Sequence, residues 1–517
     1  MDLIHKNMTT KLFSCSVNGL NCQIVEVEVD VSAGMPTFSI VGLGDASIQE
    51  SKERVRAGIK NSGATFPTTK KTINLAPAEI KKQGSLFDLP IAIGILIASK
   101  QIPEEKLCNA LIVGELSLNG EIRAINGALA IVQHAKEHGF KKVFLPKDNA
   151  FEAGFIDGIE VVTVAKLSDI INYCHGILKL KSQEYIDFER FRGGIGANDK
   201  LSINQIIGLP KVKRGLAIAA AGGHNVLMCG PPGTGKTILA RAFCELIPKM
   251  SREEVMETSK IFSVAGITQG VSPIIINRPL REIHHTASMS SIFGGGSIAK
   301  PGEISLAHNG VLFFDEITEF PAKVIESLRQ PLENKFISIG RGHSTCKFPC
   351  NFIFIATMNP CPCGYSTDPR IPCICTPSQK HHYRKKLSGP ILDRFDIFLD
   401  VPNIAMKNMF KDQGNNELTL LRQTENAALR QKQRFNTQSL IKRNAEMGIQ
   451  EVKQYCQLTK DAKVLLDKAK TSMKLSSRGY LRAIKIARTI ADFEDSDIIQ
   501  LIHMGEALSY KKATLSQ

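Results

Sequence analysis

Residues 20 to 175 alternate between two hydrophobic periods. "NCQIVEVEVDVS" places apolar side chains at alternate positions and is rich in β-branched residues, which predicts a strand covered on one face. "DASIQESKERVRAGIKNSG" spaces its apolar positions at the helical period, opens on an Asp suited to capping and closes on Gly63, which predicts a helix. "KTINLAPAEI" reads as a strand and a turn, and "LPIAIGILIASKQI" as a buried helix. "HAKEHGFKKVFLP" and "GIEVVTVAKLSDIINYCHG" each pass between helix and strand. The pattern predicts an α/β domain over residues 1–178 and, where the chain turns polar with clustered glycines, a linker over 179–202. A second α/β block follows over 203–402. From about residue 415 the pattern is helical, through "NELTLLRQTENAALRQKQRF", "TKDAKVLLDKAKTSM", "SSRGYLRAIKIARTIADFE" and "DSDIIQLIHMGEAL", which predicts a helical lid over 403–517. The fold class is α/β.

The second block opens on "MCGPPGTGKT". Gly230, Pro231, Pro232, Gly233, Thr234, Gly235, Lys236 and Thr237 match G-x-x-x-x-G-K-[ST], between a buried strand, "HNVLMCG", and a helix, "TILARAFCELI". Glycines let backbone N–H groups curl round a triphosphate, Lys236 reaches the β- and γ-phosphates, and the Thr237 hydroxyl ligates magnesium. The start of a helix adds a favourable dipole for phosphate. "GVLFFDEITEF" supplies the carboxylates at a strand end: Asp315 to hold magnesium and Glu316 to polarise the attacking water. The Asp-Glu pair points to ATP hydrolysis. "NFIFIATMNP" ends on Asn359, placed to touch the γ-phosphate or the water. In "GPILDRFDIFLDVP", Arg394 stands where an arginine finger would act on a neighbouring subunit's ATP. Arg478, at the start of a lid helix, is a second candidate phosphate sensor.

Composition narrows the partners. There are 65 Lys and Arg against 50 Asp and Glu, a net charge of +15, which fits a polyanion such as nucleic acid. The absence of Trp and the presence of only seven Tyr give no sign of a stacking platform for single strands. The 13 cysteines are an odd number, mostly scattered singly in apolar runs, which predicts a reduced, cytoplasmic protein with no disulfide framework. The N-terminus lacks the apolar core of a signal peptide, and "LPIAIGILIAS" is too short to span a bilayer, so no membrane segment is expected.

These motifs, in this order, resemble AAA+ ATPases. "RPLREIHHTASMSSIFGGGSIAKPGEISLAHNGVLFFDEITEF" looks like their magnesium-chelatase branch, which carries an insert in its second helix and lies close to the MCM helicases. With "GMPTFSIVGLGDASIQESKERVRAGIKNSG" and "GSLFDLPIAIGIL", nearly the whole chain resembles the ComM (YifB) family. That resemblance implies a hexameric, ATP-dependent DNA helicase that promotes branch migration as transforming DNA recombines, acting on single-stranded, duplex and branched DNA. Two other readings share the core: the ATPase subunit of a metal chelatase, and an ATPase that remodels a protein partner. The N-terminal domain is similar to the Lon-protease catalytic domain. Leu86 of "KKQGSLFDLP" falls at the place of Lon's serine nucleophile and Ser85 is one position early, so a non-proteolytic domain is expected.

"NPCPCGYSTDPRIPCICTP" holds Cys361, Cys363, Cys373 and Cys375 as C-x-C, nine residues, C-x-C. The stretch from 361 to 375 is too poor in apolar residues to pack alone, and a tetrahedral zinc held by these thiolates would staple it as a structural site. "KFISIGRGHSTCKFP" predicts a hairpin turning near Gly342. In MCM-like rings such a hairpin points into the channel, which makes Arg341 and Lys347 candidates for DNA phosphates. The run Phe293 to Gly296 falls in the inserted loop and is a further candidate for the channel. His284 and His285 resemble a family signature for which packing accounts as well as chemistry.

Overall fold

A computed structural model describes residues 9–42, 44, 46–79, 82, 84–194, 203–268, 274–296, 299–341, 344–403, 417–435 and 441–511. Two large sheets organise them. The N-terminal sheet has eight strands, in the order Ser182–Gln183, Glu160–Val164, Lys142–Pro146, Ala110–Ile112, Thr10–Asn18, Asn21–Ser32, Lys70–Ala76, Phe38–Val41. Its centre is the antiparallel pair Thr10–Asn18 and Asn21–Ser32, which turns at Gly19 with φ +62°. Val25, Val27 and Val29 are fully buried at alternate positions, as the period-two pattern requires. The helix Asp88–Ala98 is apolar on nearly every side and packs against this sheet. Its first residue, Asp88, is buried but paired with Arg54 at 2.6 Å, and it accepts the Leu116 amide at 3.2 Å. The expected Asp45 cap lies outside the described residues.

Part of the expected linker is folded. Ser182–Gln183 forms the edge strand beside Glu160–Val164, and Phe188, at the head of the helix Phe188–Gly194, is buried beneath the domain. Its polar sequence misled because an edge strand of two residues needs no apolar period.

The second sheet has five parallel strands in the order Leu280–Ile283, Val311–Phe314, Ile353–Met358, Val226–Cys229, Ile397–Asp400. Elements cover both of its faces, which explains why "VLFF" and "IFIATM" are nearly unbroken apolar runs. Phosphate-binding loops in such sheets gather at the carboxyl ends of the strands. The lid helices Glu417–Arg434, Lys460–Ser472, Ser477–Phe493 and Leu501–Ser509 share one core with the helix Pro210–Gly222 and the sheet.

The two α/β blocks are joined through the helix Arg252–Ala265. A capping box of Ser251 and Glu254 fixes where this helix starts. Its far end meets the N-terminal domain, where Ser263 Oγ donates to Glu152 at 2.9 Å and the Gly127 amide donates to the Ser263 carbonyl at 3.0 Å. Met250, Val255 and Ile274 share an apolar cluster with Ala153 and Phe155. No described helix is long and apolar enough to cross a membrane.

Candidate nucleotide site

The loop after Val226–Cys229 is shaped by its glycines. Gly233 and Gly235 take φ +76° and +82°, the left-handed region, which aims successive N–H groups inward. A Cβ on Gly230 would stand 2.2 Å from the Val401 carbonyl oxygen, so only glycine fits there. Gly235 caps the helix Lys236–Leu246, whose N-terminus therefore faces the loop. Thr234 Oγ1 donates to the Pro231 carbonyl at 2.9 Å, which closes the turn.

Lys236 donates to the carbonyls of Gly230 and Pro231 at 2.6 and 2.9 Å and to Asn359 Oδ1 at 3.2 Å. Burial lowers its pKa from the ordinary lysine value, with the charges of Cys229, Asp315 and Glu316 opposing that shift. Thr237 Oγ1 donates to Asp315 Oδ2 at 2.9 Å, and Thr357 Oγ1 donates to Asp315 Oδ1 at 2.5 Å. Glu316 sits at φ +49°, a strained place for a non-glycine residue. Its amide donates to Thr357 Oγ1 at 2.8 Å, and its carboxylate accepts Asn359 Nδ2 at 3.3 Å. Lys236, Thr237, Asp315, Glu316 and Asn359, far apart in sequence, thus form one connected network. Sequence reasoning missed Thr357, which holds Asp315 and Glu316 together; a polar residue inside the apolar run "IFIATM" was the available signal.

The residues fit a magnesium nucleotide. The left-handed glycines form an anion cradle, and the Thr237 hydroxyl and Asp315 carboxylate offer two hard oxygens side by side.

Arg394 and Arg478 lie elsewhere. Arg394 Nη2 is 2.5 Å from Glu333 Oε1 and Arg478 Nη2 is 3.0 Å from the same oxygen. Both line a cavity of about 560 Å³ between the core and the lid. Among the described residues neither bonds to the phosphate loop: Arg394 pairs with Glu333 and the Pro390 carbonyl, and Arg478 with Glu333. Glu333 was not anticipated from sequence, where it reads as one more exposed helical acid.

Cys361, Cys363, Cys373 and Cys375 converge, with all their sulfurs within 4.8 Å of one another. The Cys361 sulfur is 3.3 Å from that of Cys363 and 3.7 Å from that of Cys373, and Cys363 and Cys373 are 3.6 Å apart. Metal–sulfur bonds of about 2.3 Å in a tetrahedron set sulfurs about 3.8 Å apart, so the knot fits zinc. The Tyr365 amide pulls the Cys363 thiol down to about 6, toward the thiolate that a metal needs, while burial pushes the Cys375 thiol of the same knot up to about 12. The knot touches the phosphate loop: a Cβ on Gly364 would come within 2.7 Å of Pro232. The helix Pro377–Lys385 follows it, and Tyr383 accepts a hydrogen bond from Thr318 at 2.6 Å, just past Glu316.

The expected hairpin is present as Phe336–Arg341 paired with Ser344–Pro349. Lys347 is exposed, with its ammonium 5.2 Å from the Phe336 ring centre. Gly342 and the Arg341 side chain lie outside the described residues. The N-terminal domain braces this hairpin, since Cys346 Sγ donates to Asn18 Oδ1 at 2.9 Å and Gly19 packs against Phe348. Gly294–Gly295 pairs with Lys300–Pro301 in a second small hairpin, where a Cβ on Gly294 would come within 2.7 Å of Ile339. His284 bonds Thr286 at 2.8 Å and its ring lies 4.2 Å from that of His285, and both residues are exposed. In the N-terminal domain Ser85 donates to Glu115, and Lys82 donates to the Pro77 carbonyl. Among the described residues no serine–lysine pair forms there.

The family of magnesium chelatase, subunit ChlI, matches residues 202–409, a second family, subunit ChlI of Mg-chelatase, matches 27–149, and the family of the ChlI C-terminal part matches 418–511. Protein YifB of Escherichia coli is 39% identical over 497 residues, covering 95% of each chain. Competence protein ComM of Haemophilus influenzae is 38% identical over 504 residues, covering 97% of each. The chain belongs to the ComM/YifB family of magnesium-chelatase-like AAA+ ATPases. Membership makes it an ATPase that works with ATP and magnesium. Lon protease 2 of Bacillus subtilis is 27% identical over 178 residues, 30% of this chain and 32% of that one. This ComM/YifB protein is an α/β chain, part of which is similar in sequence to that Lon protease.

Proposed function

We propose that the protein is the subunit of a hexameric ring in the cytoplasm that hydrolyses ATP to move branch points in DNA. The observation that carries the reading is the division of the nucleotide machinery. Lys236, Thr237, Asp315, Glu316 and Asn359 are wired together, while Arg394 and Arg478 stand together on another part of the chain. Such a division is resolved when one copy's arginines meet the next copy's nucleotide, and repetition of that contact generates a ring. The DNA half of the reading draws on the net charge of +15, on the exposed Lys347 of the hairpin and on the similarity to a protein named for competence.

In this reading the loop amides and Lys236 bind and orient the β- and γ-phosphates. Glu316 polarises the attacking water, steadied by Asn359 and Thr357. Arg394 and Arg478 stabilise charge that builds on the γ-phosphate of the adjacent copy. Thr237 and Asp315 would hold magnesium, which supplies neutralising charge between the phosphates. Arg341 and Lys347 follow the DNA backbone, so binding ignores sequence and weakens as salt rises. The four cysteines hold zinc, which stiffens the segment between Asn359 and the basic helix Pro377–Lys385.

The test is a synthetic junction of three or four strands with heterologous arms. With ATP and magnesium the protein should release a strand at low salt, and DNA should stimulate ATP turnover. Turnover that ignores DNA, with no strand released, would assign the motor to a metal chelatase or to remodelling of a protein partner.

A further inference from the structure

Glu333 has no task in the ATPase reading, yet both arginines converge on it. One oxygen of its carboxylate holds Arg394 and Arg478, which arrive from different parts of the chain. Arg394 follows the short helix Gly389–Leu392, and Arg478 lies in the first turn of the lid helix Ser477–Phe493. Arg394 also donates to the Pro390 carbonyl at 3.3 Å, but its Nε is buried without an acceptor among the described residues. Arg478 makes no other ion pair among the described residues and its side chain is 65% exposed, so this junction is open to solvent.

The place of Glu333 in the chain is the second observation. It lies in the last turn of the helix Arg329–Asn334. Lys335 follows in the left-handed conformation, φ +59°, and Phe336 begins the hairpin. The Cys350 amide donates to the Lys335 carbonyl at 2.9 Å and closes the hairpin's base. The hairpin and Glu333 are therefore joined through two residues, Asn334 and the strained Lys335.

We propose that Glu333 is a positioning residue that latches both arginines until load on the hairpin withdraws it. The inference rests on the ring-ATPase reading above. Carboxylate and phosphoryl oxygens compete for the same guanidinium N–H groups. While Glu333 holds them, Arg394 and Arg478 share its one negative charge, their N–H groups are engaged, and they give less stabilisation to the γ-phosphate carried by a second copy. Phosphate backbone bound on the hairpin shifts Lys335 and with it Glu333. The arginines then turn to the neighbouring nucleotide, and ATP turnover comes to depend on DNA.

The experiment measures steady-state ATP turnover of the full chain with and without mixed-sequence duplex DNA, for wild type, Glu333→Gln, Glu333→Asp and Arg394→Ala. Glu333→Gln should raise kcat without DNA about three- to fivefold, the range a partly exposed ion pair allows. It should leave the KM for ATP unchanged and bring the stimulation by DNA close to none. Glu333→Asp, which keeps the charge, should return both values toward wild type. Lys335→Gly relaxes the left-handed joint, and it should weaken stimulation by DNA without raising kcat in its absence. Glu333→Gln with wild-type turnover in both conditions, or with turnover lost in both, overturns the latch. A wild type indifferent to DNA, or an Arg394→Ala variant of full activity, overturns the ring-ATPase reading and the latch with it.

Discussion

The phosphate-loop side and the arginine side of this chain are built in opposite ways. On the loop side, Lys236, Thr237, Asp315, Glu316, Thr357 and Asn359 find hydrogen-bond partners among one another at the ends of adjacent strands, with Lys236 and Thr357 buried and Glu316 exposed at the rim. On the arginine side, two cations share one carboxylate at the lip of a cavity, with Arg478 largely in solvent. The first arrangement needs only a ligand, whereas the second makes sense when another surface arrives. Preorganised hydrogen bonds suit binding and water activation, and charge left near solvent suits a contact made and broken in each cycle.

The largest expected effect breaks the loop side alone. Lys236→Ala removes the charge that faces the β- and γ-phosphates, and nucleotide binding measured by calorimetry should disappear together with turnover. Unchanged turnover would remove the phosphate-loop assignment.

Arg394→Ala tests the other side. Turnover should fall by about a thousandfold, the lower end of what an arginine finger contributes, while nucleotide affinity stays near wild type. Mixing Arg394→Ala chains with Lys236→Ala chains sharpens the contrast. Interfaces that pair an intact loop with an intact arginine reappear in the mixture, so activity should partly return. No recovery at any ratio would make Arg394 a local partner of Glu333.

The cysteine knot is a test of what lies beside the loop. Cys361→Ser with Cys363→Ser should lower bound zinc from about one per chain to none, read by metal analysis. Because Gly364 lies against Pro232, the KM for ATP should rise as the knot loosens. Metal-free wild-type protein of full stability would remove the site.

The smallest effect concerns the hairpin, which borders the arginine side through Lys335. Arg341→Ala with Lys347→Ala should reduce the slope of log affinity for DNA against log salt by about 1.8, roughly 0.9 for each phosphate that the protein no longer neutralises. Turnover without DNA should stay unchanged. An unaltered slope would assign the binding of DNA to other residues.

Some of this was legible in the chain because its constraints are local. The loop needs glycine at fixed intervals for backbone conformation, the strand-end acids follow an apolar run, and the cysteines sit close enough together to suggest a common ligand. The helical and strand periods marked most of the elements for the same reason. The sequence by itself determined which residue types could meet a triphosphate and how the α/β blocks alternate. Only the tertiary structure decided which groups meet. Thr357 reaches Asp315 and Glu316 because two parallel strands far apart in sequence lie side by side, an adjacency no local period encodes. Glu333 looks like a surface acid until the lid brings Arg478 to it from a distant part of the chain. The N-terminal hairpin braces the core hairpin through Asn18 and Cys346, whose partnership depends on how two domains dock. Sequence records the chemistry each residue carries, and long-range packing selects the partners through which that chemistry acts.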